Sequence, residues 1–452
     1  MVGGPGWGRT HRLAGDTSAR VAGAVGAQLS QALASFVLQV LAARLLGASG
    51  LGTFALLYGG IIIGTALCTG LVGDSLTVLD RNDPHIRAGL QKLCALVSAL
   101  AGALACLLTW ATHVLSPGAA LLFGAATFVF IVEDALRRML MATMRFWSLP
   151  LVDVTSLVAS VAVLAGARAS HLHIGVGQFM LALLVGQLVA SAVAVARLPR
   201  SERWLARTRP AAMRAVFEFG GWRSAQQGVR PSMLTAARLI VTVGAGAAIY
   251  GHLEAARVYM APALLVVNGI GSFLLPMYAR RRAEPIGRTI RRADIASIYL
   301  LAVTVALGAA ATALVPVLGR VITAGQYEIS AVAVFGWAVY AAATASIMPY
   351  ASLAAVRGKQ ATVMVYRLLE VAVALFGVAV LIVLSKSAAA LVPYAMALGS
   401  FVGGASVRAF VLMPLGSSAG RHRSANRIRP ISLPEYAIAV AGQRTAPTGS
   451  GQ

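Results

Sequence analysis

Apolar residues gather in runs separated by short polar stretches. Twelve runs can be marked, at about 21–46, 51–73, 92–112, 119–142, 149–167 and 174–196, then 224–248, 252–278, 294–317, 329–352, 362–385 and 388–414. A helix needs about 20 residues to cross the hydrocarbon core of a bilayer, and the runs are about that long. The pattern predicts an all-α polytopic membrane protein, with about twelve transmembrane helices in two six-helix lobes around a central cavity. The first run exceeds the roughly 7–15 apolar residues of a signal peptide, so it reads as an uncleaved span. The expected layout is a basic tail (1–20), an N-terminal lobe (21–197), a basic linker (198–222), a C-terminal lobe (223–414) and a basic tail (415–452) rich in Ser, Pro and Gly. That last tail reads as disordered.

Loop charge gives the orientation. Even-numbered loops and both tails carry about 30 of the 38 Lys and Arg, whereas odd-numbered loops hold about one each (Arg44, Arg168, Arg257, Arg320, Lys386) and the third holds none. Both termini are therefore expected to be cytoplasmic. The linker combines arginines with Trp204, Phe217, Phe219 and Trp222, which suits a helix on the anionic inner leaflet. A weak repeat, Gly47-Ala-Ser-Gly-Leu-Gly52 and Gly246-Ala-Ala-Ile-Tyr-Gly251, relates the halves at an offset of 199 residues. Repeats of this parallel kind place a binding site at their interface.

Composition sharpens the picture. The chain is 58% hydrophobic and 12% charged, against about 25% charged for a soluble domain. Its net charge of +23 is dispersed between apolar spans, so nucleic acid is not the expected partner; membrane lipids are. A high Ala, Gly, Val and Arg content suits a GC-rich bacterial genome, and the expected location is a bacterial cytoplasmic membrane. Cys68, Cys94 and Cys106 lie in or beside spans and imply no disulfide framework.

Polar residues inside the spans carry the candidate chemistry. On the seventh span Arg223, Gln227, Arg230 and Arg238 fall within an arc of about 80°, with Pro231 permitting a kink. Gln28, Gln31, Ser35 and Gln39 form a similar stripe on the first span. Tyr58, Thr65 and Thr69 align on the second, and Glu254, Arg257, Asn268 and Ser272 on the eighth. Any one stripe is explained by interhelical hydrogen bonds. Four stripes on repeat-related helices, with several arginines, point to a shared hydrated cavity. Glu133 with Arg137, Asp134 with Arg138, and Arg367 with Glu370 read as structural pairs within one helix. Asp153, Asp294 and Arg408 sit near span ends and are expected to snorkel. His171 and His173 lack a third metal ligand. None of Lys92, Lys359 and Lys386 sits in a nucleotide-binding loop, and no large outer loop offers catalytic residues. No enzyme activity and no cofactor are expected.

Three stretches resemble polysaccharide exporters of the multidrug/oligosaccharidyl-lipid/polysaccharide superfamily. They are Ala42-Ala-Arg-Leu-Leu-Gly-Ala-Ser-Gly-Leu-Gly-Thr-Phe-Ala-Leu-Leu57, Arg137-Arg-Met-Leu-Met-Ala-Thr-Met-Arg-Phe146, and Ala237-Arg-Leu-Ile-Val-Thr-Val onward to Met277-Tyr-Ala-Arg280. The resemblance implies an oligosaccharide-lipid flippase with a cationic cavity lined by helices 1, 2, 7 and 8, working by alternating access. The acidic residue common in that family before the helix 7 arginine is Ala237 here, so no ion-coupling acid carries over. The expected substrate is an anionic, polyprenyl-(pyro)phosphate-linked glycan, with glycan-assembly proteins as further partners. Arg230 and Arg238, helped by Arg223, are expected to hold the phosphate, because the guanidinium fork matches it and stays charged. The glutamine stripe is expected to meet sugar hydroxyls. Two other readings stand beside this one: a cation-coupled small-molecule exporter, for which Glu254 is the candidate carboxylate, and a membrane scaffold for cell-surface polysaccharide assembly.

Overall fold

A computed structural model describes residues 7–80, 82–203, 211–272, 274, 277–278 and 284–415. The described residues are almost wholly helical and contain no strand. The N-terminal lobe comprises α1 (Trp7–Leu45), α2 (Gly47–Cys68, continued by a wider π turn to Gly73), the short α3 (Ser75–Val78), α4 (Pro84–Ala111), α5 (Pro117–Ala142), α6 (Leu149–Ala169) and α7 (Val176–Arg197). The short α8 (Arg200–Arg203) follows. The C-terminal lobe holds α9 (Met213–Ala245), α10 (Ala247–Ser272), α11 (Ile286–Ala313), α12 (Val315–Thr323), α13 (Ala331–Val356), α14 (Gln360–Leu384) and α15 (Val392–Ser406, continued to Leu412).

Ten of these segments are long and apolar enough to cross a membrane. The other two predicted spans are α9 and α10, which carry the buried charges Arg238 and Glu254. Together they make the twelve-helix, two-lobed membrane fold that the hydropathy pattern anticipates. Helix α1 begins at Trp7, inside the stretch read as a basic tail, and α9 begins at Met213, inside the linker. The C-terminal tail beyond residue 415, Arg280, Arg281, Arg282 and Trp204 lie outside the described residues.

Local chemistry sets the helix ends. Pro84 opens α4, and the Asp83 carboxylate accepts the His85 amide at 2.8 Å as a cap. The turns α1–α2 and α9–α10 pass through Gly47 (φ +65°) and Gly246 (φ +103°), where a side chain is disfavoured. These are the repeat-related glycines. The two copies of the motif pack on each other: a Cβ at Gly52 would overlap the Ala247 carbonyl, and one at Gly251 would overlap the Ala48 carbonyl. Each contact is the other shifted by the repeat offset, so a local pseudo-twofold joins the lobes here.

This end of the bundle, poor in arginine, is also where the core is continuous. One buried cluster joins Leu51, Phe54 and Ile61 of the N-terminal lobe to Met233, Tyr250 and Trp337 of the C-terminal lobe. Further latches add to it: Arg44 Nε donates to Val321 O at 3.0 Å, Gln326 to Arg44 O at 2.6 Å and Tyr327 to Ala43 O at 3.3 Å. Toward the arginine-rich end two clusters stay within one lobe each, Leu300 and Leu353 in one and Leu140, Leu149 and Ala190 in the other, while a third joins Leu71 and Leu90 to Val216 of α9. Helix α1 meets the C-terminal lobe at α10 and α12, both at the arginine-poor end. Helices α2 and α9 stay in contact along their lengths through Gly59, Gly70, Gly220 and Gly228.

Candidate functional site

A cavity of about 410 Å³ lies beside the α2–α9 seam. It gathers Gln28, Gln31, Ser35 and Gln39 from α1, Tyr58 and Thr65 from α2, Arg238 from α9 and Arg257 from α10. The polar stripes of the first, second, seventh and eighth spans therefore meet in one space. Since α1 rises about 1.5 Å per residue, Gln28 and Gln39 are about 16 Å apart, and the cavity is elongated along the helix.

At its arginine-poor end sits a charge cluster. Glu254, 3% exposed, accepts from Arg257 Nε at 2.9 Å and Nη2 at 2.6 Å, and from the Tyr250 hydroxyl at 2.7 Å. Arg238 Nη2 lies 3.9 Å from the same carboxylate; its Nε donates to Tyr250 Oη at 3.1 Å and its Nη1 to Ala55 O at 2.9 Å. Gly59 makes room for that reach, because a Cβ there would lie 2.6 Å from Nη1. Arg257 Nη2 also donates to Gln39 Oε1 at 2.5 Å, and Gln39 donates to Ser35 Oγ at 3.0 Å. Two guanidiniums share one carboxylate, which leaves one unit of positive charge facing the glutamine stripe.

The opposite end is acidic. Glu133, Asp134 and Asp153 line the cavity together with Arg137, Ser156 and Gln187. Arg137, 2% exposed, pairs with Asp153 of α6 and donates to Ala27 O of α1 at 3.1 Å, and Ser30 also donates to Asp153. The predicted Glu133–Arg137 pair is thus not formed. A buried guanidinium satisfies more of its donors with a carboxylate and a carbonyl on neighbouring helices than with one residue a turn away. Asp153 is buried in this network and does not snorkel. The Asp134–Arg138 pair does form, at 2.8 Å, with Thr69 donating to Asp134 at 3.1 Å. Glu133 has no ion pair or hydrogen bond among the described residues. Acidic side chains therefore line one end of the cavity, and Arg238 and Arg257 the other.

Other expectations also change. Glu370 takes a hydrogen bond from Ser400 at 2.6 Å, and Arg367 forms no ion pair with it. Arg408 clamps Asp294 at 2.8 and 3.0 Å, with Tyr350 donating at 2.9 Å, so this pair ties three helices together. Arg223 pairs with Asp74 at 3.0 Å. Gln227 and Arg230 are exposed and do not line this cavity; Arg230 lies over the Tyr340 ring, 6.0 Å from its centroid. Glu254 stands behind Arg257, and the Asn268 side chain lies outside the described residues. The N-terminal-lobe acids were missed as cavity residues, although carboxylates inside an apolar helix are a sufficient signal.

Fold and site together define a two-lobed, twelve-helix membrane protein with a buried polar cavity between repeat-related helices. Solved structures similar to it are transporters. An inward-facing conformation of a multidrug resistance MATE family transporter of the MOP superfamily matches with TM-score 0.68 and 13% identity, covering 87% of this chain and 96% of that one. The outward-facing conformation of such a transporter matches at 0.57 and 13%, covering 88% and 96%. A MOP superfamily transporter from Pyrococcus furiosus, described by a reversed polarity of its binding pocket, matches at 0.57 and 14%, covering 88% and 96%. At these identities the likeness is one of fold. No protein-family model matches the chain, and no curated protein matches it either.

Proposed function

We propose that this chain is a carrier of the MOP superfamily that flips a polyprenyl-(pyro)phosphate-linked oligosaccharide across the cytoplasmic membrane by alternating access. The observation that carries this reading is the cavity: a stripe of glutamines for sugar hydroxyls runs toward two guanidiniums that share one carboxylate. An anionic headgroup would complete the charge balance there. The fold likeness to both inward- and outward-facing carriers supports alternating access, and the higher score with the inward-facing one agrees with the lobes being latched at the Gly52–Gly251 end. On this reading the arginine-rich end is cytoplasmic.

Purified protein in liposomes, given a fluorescent polyprenyl-pyrophosphate oligosaccharide, tests it through protection of the dye from an external quencher. Accelerated exchange between leaflets is expected; none above protein-free vesicles refutes the carrier and favours the scaffold. A second reading has its own support. Glu133, Asp134 and Asp153 in the cavity are what a cation-coupled small-molecule exporter needs, and efflux of an organic cation driven by a sodium or proton gradient in the same vesicles would select it.

A further inference from the structure

Helices α9 and α14 run side by side in the same direction, α9 meeting α14 where Gly244 abuts Ile382. Arg230 lies 14 residues before Gly244, and Arg367 lies 15 before Ile382. At about 1.5 Å per residue both sit roughly 21–22 Å from that contact, at one depth on adjacent helices. Both side chains are exposed although they lie within spans. Each is an electrostatic neighbour of the other and of Glu370. Neither forms an ion pair among the described residues, and Glu370 is engaged by Ser400. Glu370 supplies one negative charge against two positive ones, so one unit of positive charge is left at this level. Within a membrane-spanning bundle that excess needs an anion or water around it.

We propose that Arg230 and Arg367 form a two-guanidinium site for a phosphate monoester or pyrophosphate. The site is distinct from Arg238 and Arg257, which share Glu254 and lie toward the opposite end. It rests on the carrier reading above, and there it is the headgroup's first station on the arginine-rich side. Its logic is stoichiometric. A guanidinium offers five N–H donors in a planar fork, and two forks at one level match a doubly charged phosphate. Arg238, hydrogen-bonded to Tyr250 and Ala55, has fewer donors left to give.

The full-length protein in phosphatidylcholine nanodiscs, titrated calorimetrically with inorganic pyrophosphate and with farnesyl pyrophosphate, tests the site. The wild type is expected to bind both probes. Arg367→Gln and Arg230→Gln are each expected to weaken binding about tenfold or more, and Arg367→Lys to weaken it less. Arg320→Gln, at an exposed arginine of the opposite end, should change nothing. Equal affinity of wild type and Arg367→Gln, both monodisperse, overturns the site. An equal loss in Arg320→Gln overturns it too, since the protein's general field would then be the cause. So does displacement of pyrophosphate by phosphatidylglycerol in the disc, which would mark a site for any anionic lipid. The liposome assay separates the two claims. Binding lost in Arg367→Gln, with no wild-type flipping, keeps the site and removes the carrier. Flipping retained, with binding unaffected by Arg367→Gln, keeps the carrier and removes the site.

Discussion

Replacing Glu254 with glutamine keeps the shape of the charge cluster and removes its one negative charge. The carboxylate is 3% exposed and holds Arg257 at 2.6 Å, Tyr250 at 2.7 Å and Arg238 at 3.9 Å. Without it the buried Arg238 and the half-buried Arg257 face each other with no counter-ion, a loss of up to about 3–5 kcal/mol. Removing Arg238 instead leaves Glu254 bonded to Arg257 and Tyr250, a neutral pair. That change forfeits the bonds to Ala55 O and Tyr250, roughly 1–3 kcal/mol. The double variant Glu254→Gln with Arg238→Gln keeps one guanidinium, the same excess charge as the wild type. It should therefore lose less than Glu254→Gln alone, with a coupling of about 0.5–3 kcal/mol. Thermal unfolding of the purified proteins, followed by size-exclusion recovery after heating, gives the ordering. An isolated Arg238–Glu254 pair would strand the carboxylate on loss of Arg238 and make Arg238→Gln as harmful as Glu254→Gln. That equality, or strict additivity in the double variant, would refute the three-charge account.

Three further outcomes are expected. Gly52→Val or Gly251→Val drives a side chain into the opposing carbonyl, an overpacking cost of about 1–3 kcal/mol, and should widen the distance between spin labels at Ser49 and Ser330; an unchanged distance distribution argues against a latch there. Arg137→Gln should destabilise by about 3–5 kcal/mol and Asp153→Asn should restore much of it, as read by the same unfolding assay; a null effect would mean the pair is not buried in the membrane. In a cysteine-free background, cysteines at Ser170 and Ser385 should react with an impermeant thiol reagent from outside and one at Ser201 should not, and reaction of Ser201 alone would invert the topology.

The number of spans and the pairing of the two halves were legible in the chain, because both rest on local quantities: apolar length against bilayer thickness, and a glycine motif that recurs at 47–52 and 246–251. Helix-face arithmetic likewise found that Gln28, Gln31, Ser35, Gln39, Arg238 and Arg257 look into one polar space. An arc on a helix gives direction but not depth. Arg223, Arg230 and Arg238 share a face yet stretch over about 22 Å of α9. Their separate fates, beside Asp74, over Tyr340 and near Glu254, were set by what other helices bring to each level. Ion-pair choice was decided the same way. The spacing of Glu133 and Arg137 offers a partner one turn away, but inside a bilayer a guanidinium is stabilised by filling as many donors as it can. Only the packing of α6 and α1 against α5 supplies Asp153 and the Ala27 carbonyl to do that.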